Sequence, residues 1–337
     1  MTDLDIHRNP AAAGRDGDLC RSTSAAEETL RSPTETKRHS GGELWLNEAP
    51  DEAAGQRLRI GKTVFRGTSE YQNIWVFDNP VFGRVLALDD HVQTTVQDEF
   101  IYHEMMAHVP MFAHGGARDV LIVGGGDGGV LREVLKHRSV RRTVMVEIDR
   151  QVVDVCRTHL SSLGGNAFAD PRAEIVIDDG AAFLRRTSET FDVILVDAPD
   201  PIGPGQTLFS SEFLRACRAR LRPGGILVVQ SGVSFLQVAN IRRTVTRLRE
   251  LFQDVSAYTA TVPTYYGGAM TFACASNAPQ RLAVAEETLA MRYAAARIRT
   301  RCYTPALHVA SFALPRYLAD QLWRSRNSQP HGMVDRG

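Results

Sequence analysis

Two aspartates in a proline-rich loop, Asp197-Ala-Pro-Asp200-Pro-Ile-Gly-Pro-Gly205, have the residue types for acid–base chemistry on an amine. They follow the apolar run Phe191–Val196, so a strand should end just before them. Freeing one amine of an alkyl diamine at pH 7 costs roughly 4.6 kcal/mol, so a base is needed. A carboxylate could pair with the ammonium and then accept its proton. Considered alone, however, the pattern favours a solvated, helix-capping Asp-Pro loop.

A second candidate site is the glycine-rich segment Gly124-Gly-Gly-Asp-Gly-Gly129, which follows the apolar run Asp119–Val123. Its glycines allow a tight turn, and the helix expected after it offers backbone N–H groups to a ligand. Glu147 ends the next apolar run, where a carboxylate can accept both ribose hydroxyls of a nucleoside. Asp179, before Gly180, ends the following run and should lie at the same sheet edge, where related folds meet the adenine base.

Asp127 is the unusual residue of this glycine loop. A carboxylate there would repel the pyrophosphate of NAD, and also the α-carboxylate of S-adenosylmethionine unless a cation intervened. It would attract a ligand whose chain ends only in an ammonium, as that of decarboxylated S-adenosylmethionine does. Asp is equally a common capping residue, in this case for a helix at Val130. The residue alone leaves both interpretations open.

The order of apolar runs indicates how these residues are positioned. Short β-prone runs between Thr63 and Thr95, separated by Gly, Asn-Pro and Asp-Asp breaks, predict a small antiparallel β domain over residues 43–112. From residue 113 to 325, apolar runs alternate with amphipathic stretches, which predicts an α/β, doubly wound, mostly parallel sheet of the Rossmann type. We expect helices over 284–298 and Pro315–Arg324, with an irregular segment over Tyr303–Phe312. Residues 1–42 are predicted to be a disordered tail and 326–337 a flexible one.

Composition excludes several function classes. Lys plus Arg and Asp plus Glu each total 39, so no basic field is available to bind nucleic acid. Five scattered cysteines without C-x-x-C spacing argue against a disulfide framework and a zinc site, and fit a reducing cytoplasm. No run approaches the ~18 apolar residues of a membrane span, and the N-terminus lacks signal-peptide order. We therefore expect a cytoplasmic protein that binds neither nucleic acid nor membrane.

Taken together, these residues resemble the bacterial branch of the spermidine synthases, from Trp45 to Leu322. Besides the segments above, the resemblance rests on Tyr71-Gln72, Gln93-Thr-Thr, Asp98-Glu-Phe-Ile-Tyr102-His103-Glu104, Glu147-Ile-Asp149, Pro263-Thr-Tyr-Tyr-Gly-Gly268 and Pro305-Ala-Leu-His308. It implies an N-terminal β domain beside a methyltransferase-like Rossmann domain, and a homodimer. The implied reaction transfers an aminopropyl group from decarboxylated S-adenosylmethionine to putrescine or a similar diamine, giving spermidine and methylthioadenosine. It would proceed by direct displacement, with small-molecule substrates and no metal or other cofactor.

The resemblance also implies roles for individual residues. Asp197 matches the family's proton acceptor, and Asp200 helps to hold the diamine. The positions that hold the donor are matched by Gln72, Glu147, Asp179, Gly180 and Pro204, with Asp127 and His103 on amine-binding positions. Tyr102, Tyr265, Gln93 and Gln230 match residues that line the polyamine channel and orient the reacting nitrogen. Without the resemblance, these four and His103 would read as ordinary polar or aromatic residues of helices and strands.

Two departures from the family pattern concern loops. Ala198-Pro199 stands between the two aspartates where small hydroxyl-bearing residues are usual, which leaves the proton acceptor in place but makes acceptor length uncertain. Asp90-His91 replaces a more usual glycine turn, with little effect expected. Two other functions stay open at this point: a methyltransferase that uses intact S-adenosylmethionine, and a non-catalytic polyamine-binding protein.

Overall fold

The computed structural model describes residues 44–51, 54–198 and 203–323. Its N-terminal part consists of antiparallel β structure. Strand β1 (Leu44–Asp51) pairs with β2 (Ala54–Ile60) as a hairpin. A separate antiparallel sheet has the order β3 (Lys62–Thr68), β4 (Asn73–Asn79), β5 (Gly83–Leu88), β6 (His91–Thr95). The expected small antiparallel β domain is thus confirmed in type.

Strand β4 shows why this sheet is covered on both sides. Successive side chains of a strand point to opposite faces, and here both faces are apolar. Ile74 and Val76 pack in one cluster with the helix Arg150–His159, while Trp75 and Phe77 pack in another with the β1–β2 hairpin. The four-stranded sheet therefore lies between the hairpin and a helix of the following domain.

The remainder of the described chain alternates between strands and helices. Its elements are α1 (Glu99–His114), β7 (Asp119–Gly124), α2 (Gly129–Leu135), β8 (Arg142–Glu147), α3 (Arg150–His159), α4 (Ser161–Gly164), β9 (Ala173–Ile177), α5 (Gly180–Arg186), β10 (Phe191–Asp197), α6 (Ser211–Arg220), β11 (Leu221–Val233), α7 (Val238–Leu251), β12 (Asp254–Thr261), β13 (Ala269–Ser276), α8 (Glu286–Ala296), α9 (Pro305–Ser311) and α10 (Arg316–Trp323). Short 3-10 helices span Ala167–Ala169 and Gly203–Phe209.

The central sheet has seven strands in the order β12-β13-β11-β10-β7-β8-β9. Strands β11, β10, β7, β8 and β9 are parallel, and β13 runs antiparallel to both of its neighbours. This is the Rossmann-like methyltransferase fold, as the sequence predicts. The chain leaves β7 toward β8 and later returns to the other side of β7 with β10, which creates a switch point where such sheets bind ligands.

The C-terminal segment corrects one expectation. Tyr303–Phe312 was expected to be irregular, but Pro305–Ser311 forms helix α9. Thr304 Oγ1 accepts a hydrogen bond from Leu307 N–H at 3.0 Å, and Pro305 occupies the first turn. A capping threonine followed by proline is a helix-start signal that outweighs the short apolar pattern. The flanking helices α8 and α10 lie within the ranges expected for them.

Helix α1 falls inside the range 43–112 expected for the β domain, yet it packs against α2 and against strands β10 and β11 of the large sheet. The predicted tails, residues 1–42 and 326–337, lie outside the described residues. Within the described ranges, no helix is both long enough and apolar enough to cross a membrane. In the same part of the chain, no cluster of three or more His, Cys, Asp or Glu is placed to hold a metal, and the described cysteines are free thiols.

Candidate active site

The glycine loop after β7 and the acidic end of β10 are in direct contact. Gly125 N–H donates to the main-chain oxygen of Asp197 at 2.9 Å. Gly124 has a φ of 84°, and a Cβ atom there would lie 2.0 Å from that same oxygen. Only glycine permits this approach. The parallel pairing of β7 with β10 thus brings the two candidate sites of the sequence into one site.

Asp197 is the carboxylate at the centre of this site. Its Oδ1 accepts a hydrogen bond from the Tyr102 hydroxyl of α1 at 2.6 Å. A Cβ atom at Gly125 would lie 3.1 Å from Oδ2, so the second oxygen faces the glycine loop. Burial, followed by the nearby charge of Asp127, raises the pKa of Asp197 to about 6. Burial also raises the pKa of Tyr102 well above its ordinary value, so its hydroxyl remains a donor.

Tyr265 lies against Tyr102, with ring centroids 5.9 Å apart at 89°. Its hydroxyl donates to the main-chain oxygen of Gln93 at 2.5 Å, while the Gln93 amide donates to the main-chain oxygen of His91 at 3.1 Å. Strand β6 and the loop between β12 and β13 are therefore joined at the site. The Gln93 side chain is turned toward its own strand.

Asp127 joins the start of α2 to His103 of α1. Its Oδ1 accepts the Gly129 N–H at 2.7 Å at the start of α2, and its Oδ2 lies 3.2 Å from His103 Nε2. Burial alone raises the pKa of Asp127, but His103 outweighs burial and holds the pKa below its ordinary value. Asp127 is therefore favoured as an anion, whereas the pKa of Asp197 is raised to about 6.

Glu147, at the end of β8, faces the same glycine loop. Its carboxylate accepts N–H groups of Gly126 at 3.2 Å and Asp149 at 3.0 Å. Burial raises the pKa of Glu147 to about 7 despite these hydrogen bonds. Gln72, from the N-terminal sheet, donates to Asp149 Oδ2 at 2.9 Å. Gln72 and Glu147 thus converge on Asp149, which sequence reasoning quoted only as part of a motif.

The remaining expected donor-site residues lie on the neighbouring strand ends. Asp179 follows β9 and caps α5, its Oδ1 accepting the Ala182 N–H at 2.6 Å, and Gly180 is the first residue of that helix. Pro204 belongs to the 3-10 helix Gly203–Phe209. Asp200 lies outside the described residues, so its expected role stays a prediction.

Gln230 of β11 has a buried side chain with an unsatisfied hydrogen-bond acceptor. It is 7% exposed, and its Oε1 has no hydrogen-bond partner within the described residues. Buried acceptors are almost always satisfied, by protein, water or ligand. Among the expected channel residues that the structure describes, Gln230 alone has a buried acceptor atom without a partner, and a ligand N–H could donate to it.

Sequence reasoning missed two groups that hold the site together. Glu99 Oε2 lies 2.5 Å from His103 Nδ1 and 2.8 Å from an Arg132 guanidinium nitrogen. Asp98 accepts the Thr264 N–H at 2.8 Å and thereby fixes the loop that carries Tyr265. The four-residue spacing of Glu99 and His103 was the available signal for the first group. The second joins residues far apart in the chain and leaves no local signal.

Comparisons with known proteins identify the family of this chain. Residues 99–284 match the model of the spermine/spermidine synthase domain, and residues 44–96 match that of the spermidine synthase tetramerisation domain. The chain is 50% identical over 284 residues to a polyamine aminopropyltransferase of Serratia proteamaculans (strain 568), covering 84% of this chain and 99% of that protein. It is likewise 50% identical over 280 residues to one of Yersinia pestis (strain Pestoides F), covering 83% of this chain and 94% of that protein.

Solved structures lead to the same family. A spermidine synthase in complex with the transition-state analogue AdoDATO superimposes with a TM-score of 0.79 at 36% identity, covering 86% of this chain and 97% of that one. The spermidine synthase of Thermotoga maritima gives 0.76 at 34% identity, covering 86% and 96%. With family models across most of the described chain and relatives at 50% identity, the chain belongs to the spermine/spermidine synthase family of aminopropyltransferases.

Proposed function

We propose that this aminopropyltransferase moves the aminopropyl group of decarboxylated S-adenosylmethionine onto putrescine or a similar diamine, with Asp197 accepting the proton of the attacking amine. The observation that carries the proposal is the opposite behaviour of two neighbouring carboxyls. Asp127 is held ionised, whereas the pKa of Asp197 is raised to about 6. Paired groups whose pKa values are pushed apart serve different roles. Asp127 is suited to binding a fixed ammonium and Asp197 to proton transfer.

The chemistry required is deprotonation followed by displacement. The ammonium of the acceptor gives one proton to Asp197, and the freed lone pair attacks the methylene carbon next to the donor sulfur. The carbon–sulfur bond breaks, its electron pair returns to sulfur, and neutral methylthioadenosine leaves. Because Tyr102 donates to Oδ1 of Asp197, the proton is received at Oδ2, on the side of the glycine loop. Alignment of the two reactants supplies much of the remaining rate enhancement.

The donor is proposed to bind along the strand ends that surround the glycine loop. Glu147 would accept the ribose hydroxyls, supported by Gln72 through Asp149. Asp179 and Gly180, with Pro204, would bound the adenine. Asp127 would receive the ammonium of the aminopropyl chain. The complex of a spermidine synthase 36% identical to this chain with the transition-state analogue AdoDATO supports a site of this kind.

The acceptor is proposed to lie between the aromatic pair of Tyr102 and Tyr265 and the amide of Gln230. The unmet Oε1 of Gln230 can accept an N–H of the diamine. Gln93 would border this channel beside the Tyr265 hydroxyl, to which it offers its main-chain oxygen. Asp200 would help to hold the diamine, as the resemblance implies.

Several further features belong to the proposal. The sulfonium is already an excellent leaving group, so the proposed reaction uses no metal or redox cofactor. We also propose that the enzyme is cytoplasmic and works as a homodimer, and the match to a tetramerisation domain over residues 44–96 supports self-association. An N-methyltransferase on the same fold would have to place the α-carboxylate of intact S-adenosylmethionine beside the ionised Asp127, whose charge His103 offsets; the donor control in the test below separates the two functions.

The test is release of methylthioadenosine by the purified full chain. The donor is decarboxylated S-adenosylmethionine, and the acceptor is putrescine, cadaverine, spermidine or none, with intact S-adenosylmethionine as the matched donor control. Release that requires the decarboxylated donor and is fastest with putrescine is expected. Methyl transfer from the intact donor would overturn the proposal in favour of a methyltransferase. Donor binding without release under any condition would instead indicate a polyamine-binding protein.

A further inference from the structure

His103 lies between two carboxylates in the interior of the protein. Its ring is 2% exposed, with Nδ1 2.5 Å from Glu99 Oε2 and Nε2 3.2 Å from Asp127 Oδ2. A neutral imidazole has only one N–H, so it would direct a bare lone pair at one of the two carboxylates. An imidazolium donates to both. The geometry therefore requires a positively charged ring.

The two carboxylates are not equivalent. Asp127 belongs to the proposed amine site, whereas Glu99 lies one helical turn before His103 on α1. Arg132 of α2 donates to the same Glu99 oxygen at 2.8 Å and is itself held by Glu133 Oε1 at 2.8 Å. Glu99 is thus fixed by cations from two helices, and its own pKa lies below the ordinary value despite burial.

Charge at this site is set by groups from every element packed around it. Burial alone lowers the pKa of His103, but Asp127 and Glu99 outweigh burial and raise it to about 10. The charge of His103 in turn lowers the pKa of Asp197, opposing the effect of Asp127. The other titratable and charged groups of this environment are Tyr102 on α1, Arg132 on α2, Glu147 on β8, Cys156 on α3 and Tyr265 between β12 and β13.

We propose that Glu99, anchored by Arg132, is a positioning residue that keeps His103 as an imidazolium, and that this cation holds the Asp127 carboxylate in place and offsets its charge at Asp197. This inference rests on the proposed function of Asp127 and Asp197. It assigns His103 an indirect part in amine binding, because neither ring nitrogen retains a lone pair for an ammonium. The acceptor for the substrate ammonium is then Asp127 itself.

The inference predicts what happens when only the charge of Glu99 is removed. In Glu99→Gln, His103 loses one of its two carboxylate partners, and its pKa should fall by roughly one to three pH units. At the acidic limb near pH 6 the His103 ring would still be protonated, but it would lose its charge between about pH 7 and pH 9 and would then no longer hold Asp127 in place. The alkaline limb of the pH–rate profile should consequently move to lower pH by about one to three units. Glu174→Gln is the matched control, because Glu174 pairs with Arg142 at the surface, away from the site.

The direct test is an NMR titration of the full chain labelled with 15N at its histidine rings, using His103→Gln to assign the signals. In the wild-type chain, both ring nitrogens of His103 should carry protons at pH 8. In Glu99→Gln, the ring should lose one of these protons at a lower pH than in the wild type. A His103 ring that is neutral at pH 8 in the wild type would overturn the inference, and this result does not require Glu99→Gln to fold. An unchanged His103 titration in folded Glu99→Gln would overturn it as well.

The turnover measurement separates this inference from the proposed function. If the wild-type chain releases no methylthioadenosine, the proposed function fails, while the NMR titration still decides the state of His103. If release occurs and the alkaline limb of Glu99→Gln coincides with those of the wild type and Glu174→Gln, the role of Glu99 is refuted while the reaction stands. An alkaline limb that moves to lower pH only in Glu99→Gln is the expected result.

Discussion

Removing a single oxygen atom, in Tyr102→Phe, tests how the pKa of Asp197 is set. The Tyr102 hydroxyl donates to Asp197 Oδ1 at 2.6 Å and so stabilises the ionised carboxylate. Hydrogen bonds to charged groups contribute about 1.5–3 kcal/mol, and one pKa unit corresponds to about 1.4 kcal/mol. Because Asp197 is partly exposed, the lower end applies, and its pKa should rise from about 6 by roughly one unit.

The assay is the pH dependence of kcat/KM for methylthioadenosine release between about pH 5 and pH 9. Asp197 must be ionised to accept a proton, so activity should fall below pH 6 in the wild type and below about pH 7 in the variant. At pH 7 the ionised fraction would decrease from about 90% to about half, and at pH 5 the variant should be about tenfold slower. Near pH 9 the two profiles should approach each other.

Tyr258→Phe is the matched control for this variant. Tyr258 is fully buried and its hydroxyl donates to the main-chain oxygen of Met105 at 3.1 Å, so the same atom is removed without touching Asp197. Its acidic limb should coincide with that of the wild type. The reasoning would be refuted if the limb of Tyr102→Phe also stayed at about pH 6, since the hydroxyl would then have no part in setting the pKa of Asp197.

Three further predictions concern stability and donor binding. In Asp197→Asn, the free energy of unfolding should increase by on the order of 2 kcal/mol at pH 8, because the native pKa of about 6 exceeds the ordinary value of 3.8 and wild-type stability is lost as pH rises between these values. Denaturant unfolding should show this gain vanish near pH 4. Calorimetry should show the affinity for methylthioadenosine falling about tenfold from pH 8 to pH 6, because Glu147, with a pKa of about 7, must be ionised to accept hydrogen bonds from both ribose hydroxyls. Unchanged affinity would exclude that role. Gly124→Ala should lower the free energy of unfolding by about 2 kcal/mol or more and abolish methylthioadenosine release, because the new Cβ would lie 2.0 Å from the Asp197 main-chain oxygen. Wild-type stability of this variant would contradict the described loop.

The convergence of Gly124, Asp127, Glu147 and Asp197 could be predicted from sequence because it follows from topology. Gly124, Glu147 and Asp197 each end an apolar run, and Asp127 follows Gly124 in the glycine loop. The carboxyl ends of parallel strands meet at one sheet edge. From the sequence, helix capping and ligand binding were alternative roles for Asp127, because we considered only one role for one side chain. In the structure its two oxygens point in different directions, one to the α2 backbone and one to His103.

Other features could not be predicted because they depend on contacts between distant segments. The pairing of Glu99 with Arg132 requires the packing of α1 on α2, and the attachment of Tyr265 to the main chain of Gln93 joins residues 172 apart. Neither follows from periodicity or propensity. Helix α9 is different, since Thr304 and Pro305 form a local start signal that the sequence already contained.

Turnover of Asp197→Asn, measured together with its donor binding, tests the central claim most directly. Asparagine keeps the size of the side chain and can still accept the Tyr102 hydrogen bond, but it cannot take a proton from an ammonium. We expect calorimetry to show nearly wild-type affinity for decarboxylated S-adenosylmethionine, and methylthioadenosine release with putrescine to be slowed by about a hundredfold to ten-thousandfold. Release at a nearly wild-type rate would contradict the account and remove Asp197 as the proton acceptor.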